Sequence, residues 1–273
     1  MYRRILIGYQ DTAGGRDAMA LGAVLAQANG AVLVLETARD EETLAQLALA
    51  HDADLVVLGP SHRGAVGRLV PGATVERLLG EAPCAVAVAP PGFGLREDGD
   101  SGWRPLSGDR EDPGMRVVGV GYDGSRAAGQ ALRAAVDLAV PNGAALRVYT
   151  VARRYAHLPG ADGDSRGPGV PTEAEVLRGM LGEAVAALPA EVRAQPVFLR
   201  GNAADELIEA SDAGVDLLVL GCRRGGPLRR KLHHSVTSAV LRRATCPVLI
   251  SPTGARAPAL ASPAVQPPAL GRA

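Results

Sequence analysis

DLLVLGCRRGGPLRRKLHHSVTSAVLRRATCPVLISP, residues Asp216 to Pro252, has an ungapped counterpart in DLVVLGPSHRGAVGRLVPGATVERLLGEAPCAVAVAP, residues Asp54 to Pro90. Asp54 pairs with Asp216, Gly59 with Gly221, Gly64 with Gly226, Cys84 with Cys246 and Pro90 with Pro252, each 162 positions apart. Each copy runs from a short apolar segment through a Gly/Arg-rich loop and a helical segment into a second apolar segment opened by cysteine. That grammar is strand, loop, helix, strand.

Upstream lies a second repeat, in which Ile5 to Leu35 matches Val118 to Val148 at an offset of 113: Gly8 with Gly121, Tyr9 with Tyr122, Asn29-Gly30 with Asn142-Gly143. Two offsets within one duplication mean that the halves differ by a block between the matching segments. Its size is 162 less 113, or 49 residues. The N-terminal half lacks a piece that the C-terminal half keeps.

Taken in order, the N-terminal half reads as strand (Ile5–Tyr9), helix (Gly14–Asn29), strand (Ala31–Leu35), helix (Glu41–His51), strand (Asp54–Leu58), loop, helix (Ala73–Leu79) and strand (Cys84–Val88). Asn29-Gly30 supplies a left-handed stop for the first helix. From Met115 the pattern restarts with strand Arg116–Gly121, helix Arg126–Val140 and strand Ala144–Val151. The extra block then adds a loop to Pro171, a helix (Thr172–Leu188, with Thr172 as N-cap) and a strand (Gln195–Arg200). Helix Ala203–Ala213, strand Asp216–Leu220, helix Ser235–Arg243 and strand Pro247–Ser251 complete it.

Wholly apolar strands alternating with helices imply a parallel sheet covered on both faces. The expected class is α/β: two tandem doubly wound parallel-sheet domains of strand order 3-2-1-4-5, the first lacking one helix and one edge strand. The boundaries fall at 1–90 for the truncated domain, 91–114 for a polar linker carrying Trp103, 115–252 for the complete domain and 253–273 for an Ala/Pro-rich tail expected to be disordered. Losing the third strand leaves Ala31–Leu35 as an apolar edge, an aggregation hazard unless covered. The linker, with Trp103 as a plug, or the other half is expected to shield it.

Lys plus Arg and Asp plus Glu each number 29, so the formal net charge is zero. That removes any whole-molecule argument for nucleic acid or an anionic membrane as partner. Three cysteines (Cys84, Cys222, Cys246) without C-x-x-C spacing argue against a disulfide framework and a zinc site. No segment reads as a signal peptide or membrane span, and a cytoplasmic location is expected.

In doubly wound sheets ligands bind beyond the carboxyl ends of the strands, where the strand order reverses. Two loops meet there in each half: Tyr122–Ser125 with Gly221–Ser235, and Tyr9–Thr12 with Gly59–Ala73. A glycine-rich loop opening a helix presents backbone N–H groups and a positive dipole end, a combination suited to phosphate. Cys222, placed by the sequence in the C-terminal ligand loop, is the cysteine to test for reactivity.

With GYDGS at Gly121–Ser125, DLLVLG before the Gly/Arg loop and ATCPVLISP at the close, the chain resembles tandem members of the universal stress protein family. The resemblance implies a non-enzymatic stress-response regulator. In nucleotide-binding members the aspartate after the first strand meets the adenine end, and a G-x2-G-x9-G-[S/T] loop holds ribose and phosphates. By position this assigns Asp123, Gly124, Ser125, Gly221, Arg223, Gly226 and Ser235 to a C-terminal site for ATP or AMP, with Mg²⁺ if ATP, and Gly59 and Gly72 to a degenerate N-terminal one. The pattern is broken by Arg224 and His234 in the C-terminal half, and by Gln10, His62 and Ala73 in the N-terminal half. A competing reading is therefore a ligand-free protein-interaction scaffold. The resemblance also implies that the final strands, Ala85–Ala89 and Pro247–Ser251, pair the halves as an internal pseudo-dimer, with homodimerisation and an unidentified protein partner as further expectations.

Other patterns carry less. Gly119-Val-Gly121-Tyr-Asp-Gly124 matches a dinucleotide fingerprint, but no acid for a ribose ends the next strand. Lys231 is the only lysine and does not stand at a P-loop position. His233-His234 lacks further ligands at metal spacing, and the nearby arginines read as a solvated face.

Overall fold

The computed structural model describes residues 2–37, 41–60, 78–79, 83–94, 115–153, 172–223 and 235–254, with side chains omitted at 41–43. Gly72, Gly226, Arg224, His234, Trp103, most of the linker and the tail beyond Gly254 lie outside these residues. The described strands are β1 (Arg4–Gly8), β2 (Val32–Glu36), β3 (Leu55–Leu58), β4 (Ala85–Val88), β5 (Val117–Gly121), β6 (Ala145–Ala152), β7 (Ala194–Arg200), β8 (Leu217–Cys222) and β9 (Val248–Pro252). The described helices are α1 (Ala13–Asn29), α2 (Glu41–Ala50), α3 (Arg126–Ala139), α4 (Glu173–Ala186), α5 (Ala203–Asp212) and α6 (Val236–Arg243). Of the helix expected at Ala73–Leu79, only Leu78 and Leu79 are described; both are helical and buried.

The strands form one sheet in the order β2-β1-β3-β4-β9-β8-β5-β6-β7. From β9 to β7 this is the complete five-strand order 3-2-1-4-5, and β2 to β4 repeat it without a third strand. Neighbours within each half are parallel. The halves join through one antiparallel pair, with Val86 opposite Ile250, Ala87 opposite Leu249 and Val88 opposite Val248. These are the two final strands that the resemblance pointed to.

Local chemistry sets the element ends. Thr12 caps α1 by accepting from the Gly15 N–H at 3.1 Å, and Gly30, at φ 61°, closes it with its N–H on the Ala26 and Gln27 carbonyls. Thr172 and Glu175 form a reciprocal capping box at α4. The aspartates that open both long repeats are structural. Asp54 accepts from the Arg3 and Arg4 N–H groups at 2.8 and 3.1 Å, and Asp216 accepts from Arg116 and Val117, both at 2.8 Å. Each carboxylate thereby ties the start of the fourth-position strand to the start of the first.

Helices α1, α3 and α4 cover one face of the sheet, burying Leu21, Leu25, Leu138 and Leu181, while α2, α5 and α6 cover the other through Leu44, Leu207 and Val240. Each fully buried leucine contributes roughly 1.5–3 kcal/mol. Both clusters run through residues of both halves, and the Asn142 side-chain amide donates to the Ala28 carbonyl across the junction at 3.3 Å.

Of the two covers expected for the apolar edge, the linker with Trp103 lies mostly outside the described residues, and the expectation of cover from the other half needs correction. The C-terminal half sits at the opposite end of the sheet from β2, so it provides no cover there. Val32, Leu33 and Leu35 are 63%, 41% and 51% exposed. Among the described residues no helix is long and apolar enough to cross a membrane.

Candidate functional site

A cavity of about 150 Å³ opens where the carboxyl ends of β5, β6 and β8 meet the first turns of α3, α5 and α6. It lies at the strand-order reversal of the C-terminal half, as the topology requires. Its walls are largely apolar, with Val151, Leu207, Leu220 and Val236, and polar atoms enter from Asp123, Ser125 and Thr237. Such a mix of apolar walls and a few placed polar groups suits a small organic ligand.

The loop after β5 is held in place from several directions. Thr150 donates to the Tyr122 carbonyl at 2.8 Å, fixing the chain as it leaves the sheet. Asp123 Oδ1 accepts from the Ser125 N–H at 3.0 Å, and Ser125 Oγ in turn caps α3 by accepting from Ala128 N–H at 3.2 Å. Gly124 adopts φ 76°, a left-handed conformation that only glycine takes without strain, and Met180 of α4 occupies the space a Cβ would fill. The result is an exposed carboxylate, Asp123, fixed at the mouth of the cavity beside a helix N-terminus.

Gly221 is needed for a different reason. A Cβ there would overlap the Ala127 carbonyl, so its absence lets the end of β8 sit directly against the first turn of α3. Ser235 caps α6, its Oγ accepting from Ser238 N–H at 3.1 Å, and places Val236 and Thr237 in the wall. Arg223 follows β8 and is exposed. Tyr149 lines the cavity, and burial raises its phenol above the ordinary range, offset in part by a hydrogen bond with Arg147.

The structure therefore brings Asp123, Ser125 and Gly221 to one cleft, with Gly124 and Ser235 shaping its edges. The sequence reading missed Tyr149, Val151, Leu207 and Thr237. Their signal was position alone: the carboxyl end of the second strand and the first turns of two helices. Cys222 requires a correction. It is the last residue of β8, 7% exposed, packed in the apolar cluster under α5 and α6, with its carbonyl accepting from Thr253 N–H at 2.7 Å. It belongs to the sheet core, not to the loop.

The matching place in the N-terminal half has another shape. Asp11 stands where Gly124 does but does not take its left-handed backbone. The loop turns more tightly, with Thr12 N–H on the Gln10 carbonyl at 2.8 Å. That carbonyl lies over Gly15, in space a Cβ there would overlap; Gly15 is the counterpart of cavity-lining Ala128. Gly59 packs against the Gly14 carbonyl just as Gly221 packs against that of Ala127, so this contact is common to both halves. The Gln10 carbonyl thus lies where the Ala128 methyl stands in the cavity wall of the C-terminal half.

The family model described as the universal stress protein family matches residues 33–90 and 115–252. A universal stress protein of Mycobacterium tuberculosis is 31% identical over 208 residues, covering 74% of this chain and 63% of that relative, and one of Mycobacterium bovis matches to the same extent. The chain thus spans less than two thirds of the length of these relatives. Among solved structures, a universal stress protein from Archaeoglobus fulgidus covers 91% of the chain and is covered over 96% of its own length, with a TM-score of 0.57 at 14% identity. A functionally unknown protein from Pseudomonas aeruginosa has a TM-score of 0.56 at 16% identity, covering 92% of each chain. At such identities the likeness is one of fold. The twofold match of the family model, on a sheet that repeats its own strand order, shows that this chain belongs to the universal stress protein family.

Proposed function

We propose that the chain is a non-enzymatic stress-response regulator that binds one adenine nucleotide in its C-terminal half. The observation that carries this reading is the cavity at the strand-order reversal, apolar inside, with the Asp123 carboxylate fixed at its mouth and two capped helix starts beside it. A carboxylate there accepts hydrogen bonds from an amine or hydroxyl, and helix N-termini favour phosphate. At about 150 Å³ the described cavity has room for a nucleobase, and small-ligand pockets of about 300 Å³ or more are usual for larger molecules. Ribose and phosphates would extend toward Arg223 and the start of α6 at Ser235; Gly226, which the resemblance adds, lies outside the described residues. Gly59 and Gly72 are not part of this proposal, because the Gln10 carbonyl lies over Gly15 in the N-terminal half, at the position of cavity-lining Ala128.

Occupancy acts by favouring one conformation over another as seen by a partner protein, with no bond made or broken. The two halves function as an internal pseudo-dimer joined at β4 and β9. A thermal-shift series with ATP and AMP, with and without Mg²⁺, tests the reading. Stabilisation that grows with nucleotide concentration supports it; an unchanged melting temperature with every adenine nucleotide would favour the scaffold reading.

A further inference from the structure

We propose that the exposed edge strand β2 is a homodimer interface, pairing antiparallel with β2 of a second copy of this chain. The two ends of the sheet are treated differently by the sequence. At the far end, β7 carries Pro196, which has no N–H to offer, together with Gln195 and Arg200, and the Arg178 guanidinium stacks on Phe198 at 4.2 Å from the ring centre. Those are the devices by which edges avoid pairing. At the near end β2 reads VLVLE, with no proline and no lysine. Among the described residues, β1 is the only strand paired with it.

The exposed side chains are those that an edge partner would bury. Leu33 and Leu35 stand at the register positions of Leu146 and Val148 in β6, which are both fully buried with α4 and β7 beside them. β2 thus keeps the composition of an interior strand after losing its neighbours.

Self-complementarity favours a second copy over an unrelated partner. A two-fold axis through Val34 sets Leu33 opposite Leu35 of the other copy, Val34 opposite Val34, and Val32 opposite Glu36. Four leucines then gather on the α1 face, in the place that α4 fills in the C-terminal half. The single charge of the strand, Glu36, is held by His51 at 2.8 Å and meets no like charge across the axis. The chain already uses a junction of this kind: β4 and β9 join its halves antiparallel through three residue pairs, and β2 offers five.

Sedimentation velocity on the full chain over a concentration series up to about 100 μM suits an interface of this modest size. The expected result is a species approaching twice 28.0 kDa. Replacing Leu33→Lys with Leu35→Lys, both exposed and free to change without unfolding the core, should weaken association by at least about tenfold. In Val34→Cys, mild oxidation should yield a covalent dimer, because the axis brings that residue onto itself. A single 28.0 kDa species throughout, a dimer indifferent to the lysines, or a Val34→Cys chain that does not cross-link would each overturn the proposal. So would a monomer whose Leu33 and Leu35 amides, the ones that face away from β1, are protected from hydrogen exchange, since another segment of the same chain would then cover the edge.

Discussion

Leu33 and Leu146 occupy the same place in two copies of one fold unit, yet the first is 41% exposed and the second fully buried. Leu35 and Val148 repeat the contrast at 51% and 0%. The cause is the 49-residue block, since α4 and β7, which enclose β6, have no counterpart beside β2. A parallel difference marks the ligand ends. Gly124, with its left-handed backbone, leaves an open cavity after β5, while the tighter Gln10–Thr12 turn lays a carbonyl over Gly15 after β1. Duplicated halves have thus diverged in two places, one at the edge and one at the cleft.

The sharpest test of the edge contrast is a matched pair of truncations. Leu146→Ala should destabilise by about 2–5 kcal/mol through transfer loss and cavity formation, whereas Leu33→Ala, half-solvated already, should change stability by about 1 kcal/mol or less. Urea midpoints at an unchanged m value would show it. Equal losses would mean that β2 is as enclosed as β6.

Where the halves are alike, they should respond alike. Asp54→Ala and Asp216→Ala each strip a buried acceptor from two backbone N–H groups, for an expected loss of about 2–3 kcal/mol in either half. At the cleft the responses should separate again. Asp123→Ala should weaken adenine-nucleotide binding about tenfold, on the order of 1.4 kcal/mol, and Gln10→Ala, at the matching position, should leave it unchanged by the same titration.

The smallest effect is absent near neutrality. Burial pushes the Cys246 thiol up to about 12, from an ordinary value of 9.0, and burial raises the Tyr2 phenol as well. Both groups hold their protons more tightly folded than unfolded, so deprotonation favours the unfolded chain. The native state should be insensitive to these groups below about pH 9 and lose stability progressively from there toward 12. Melting temperatures across that window should fall less steeply in Cys246→Val. Native Cys246 should also resist alkylation at pH 8, because the thiolate is the reactive form.

Much of the architecture could be read from residues. Two fixed offsets gave the duplication, their difference gave the missing helix and strand, and the apolar runs gave parallel strands; all reappear in the sheet order. Physical context hid the rest. Asp54 and Asp216 stood out as repeat markers, but their role depends on backbone N–H groups about 50 and 100 residues away. Cys222 followed a glycine and preceded arginines, so it read as loop; strand β8 continues two residues beyond Leu220, where its apolar run was read to end, and buries it. Val151 and Leu207 gave no signal beyond ordinary core composition, since a wall of a cleft and a core contact use the same side chains. Cover for β2 was expected from the linker or the second half; joining through β4 and β9 places that half at the other end, and most of the linker lies outside the described residues.

The divergence of the two clefts is tested most directly by the stoichiometry of adenine-nucleotide binding to the full chain in calorimetric titration. The account predicts one equivalent per chain, with affinity lowered by Asp123→Ala and untouched by Gln10→Ala. Two equivalents, or a single one sensitive to Gln10 in place of Asp123, would contradict it.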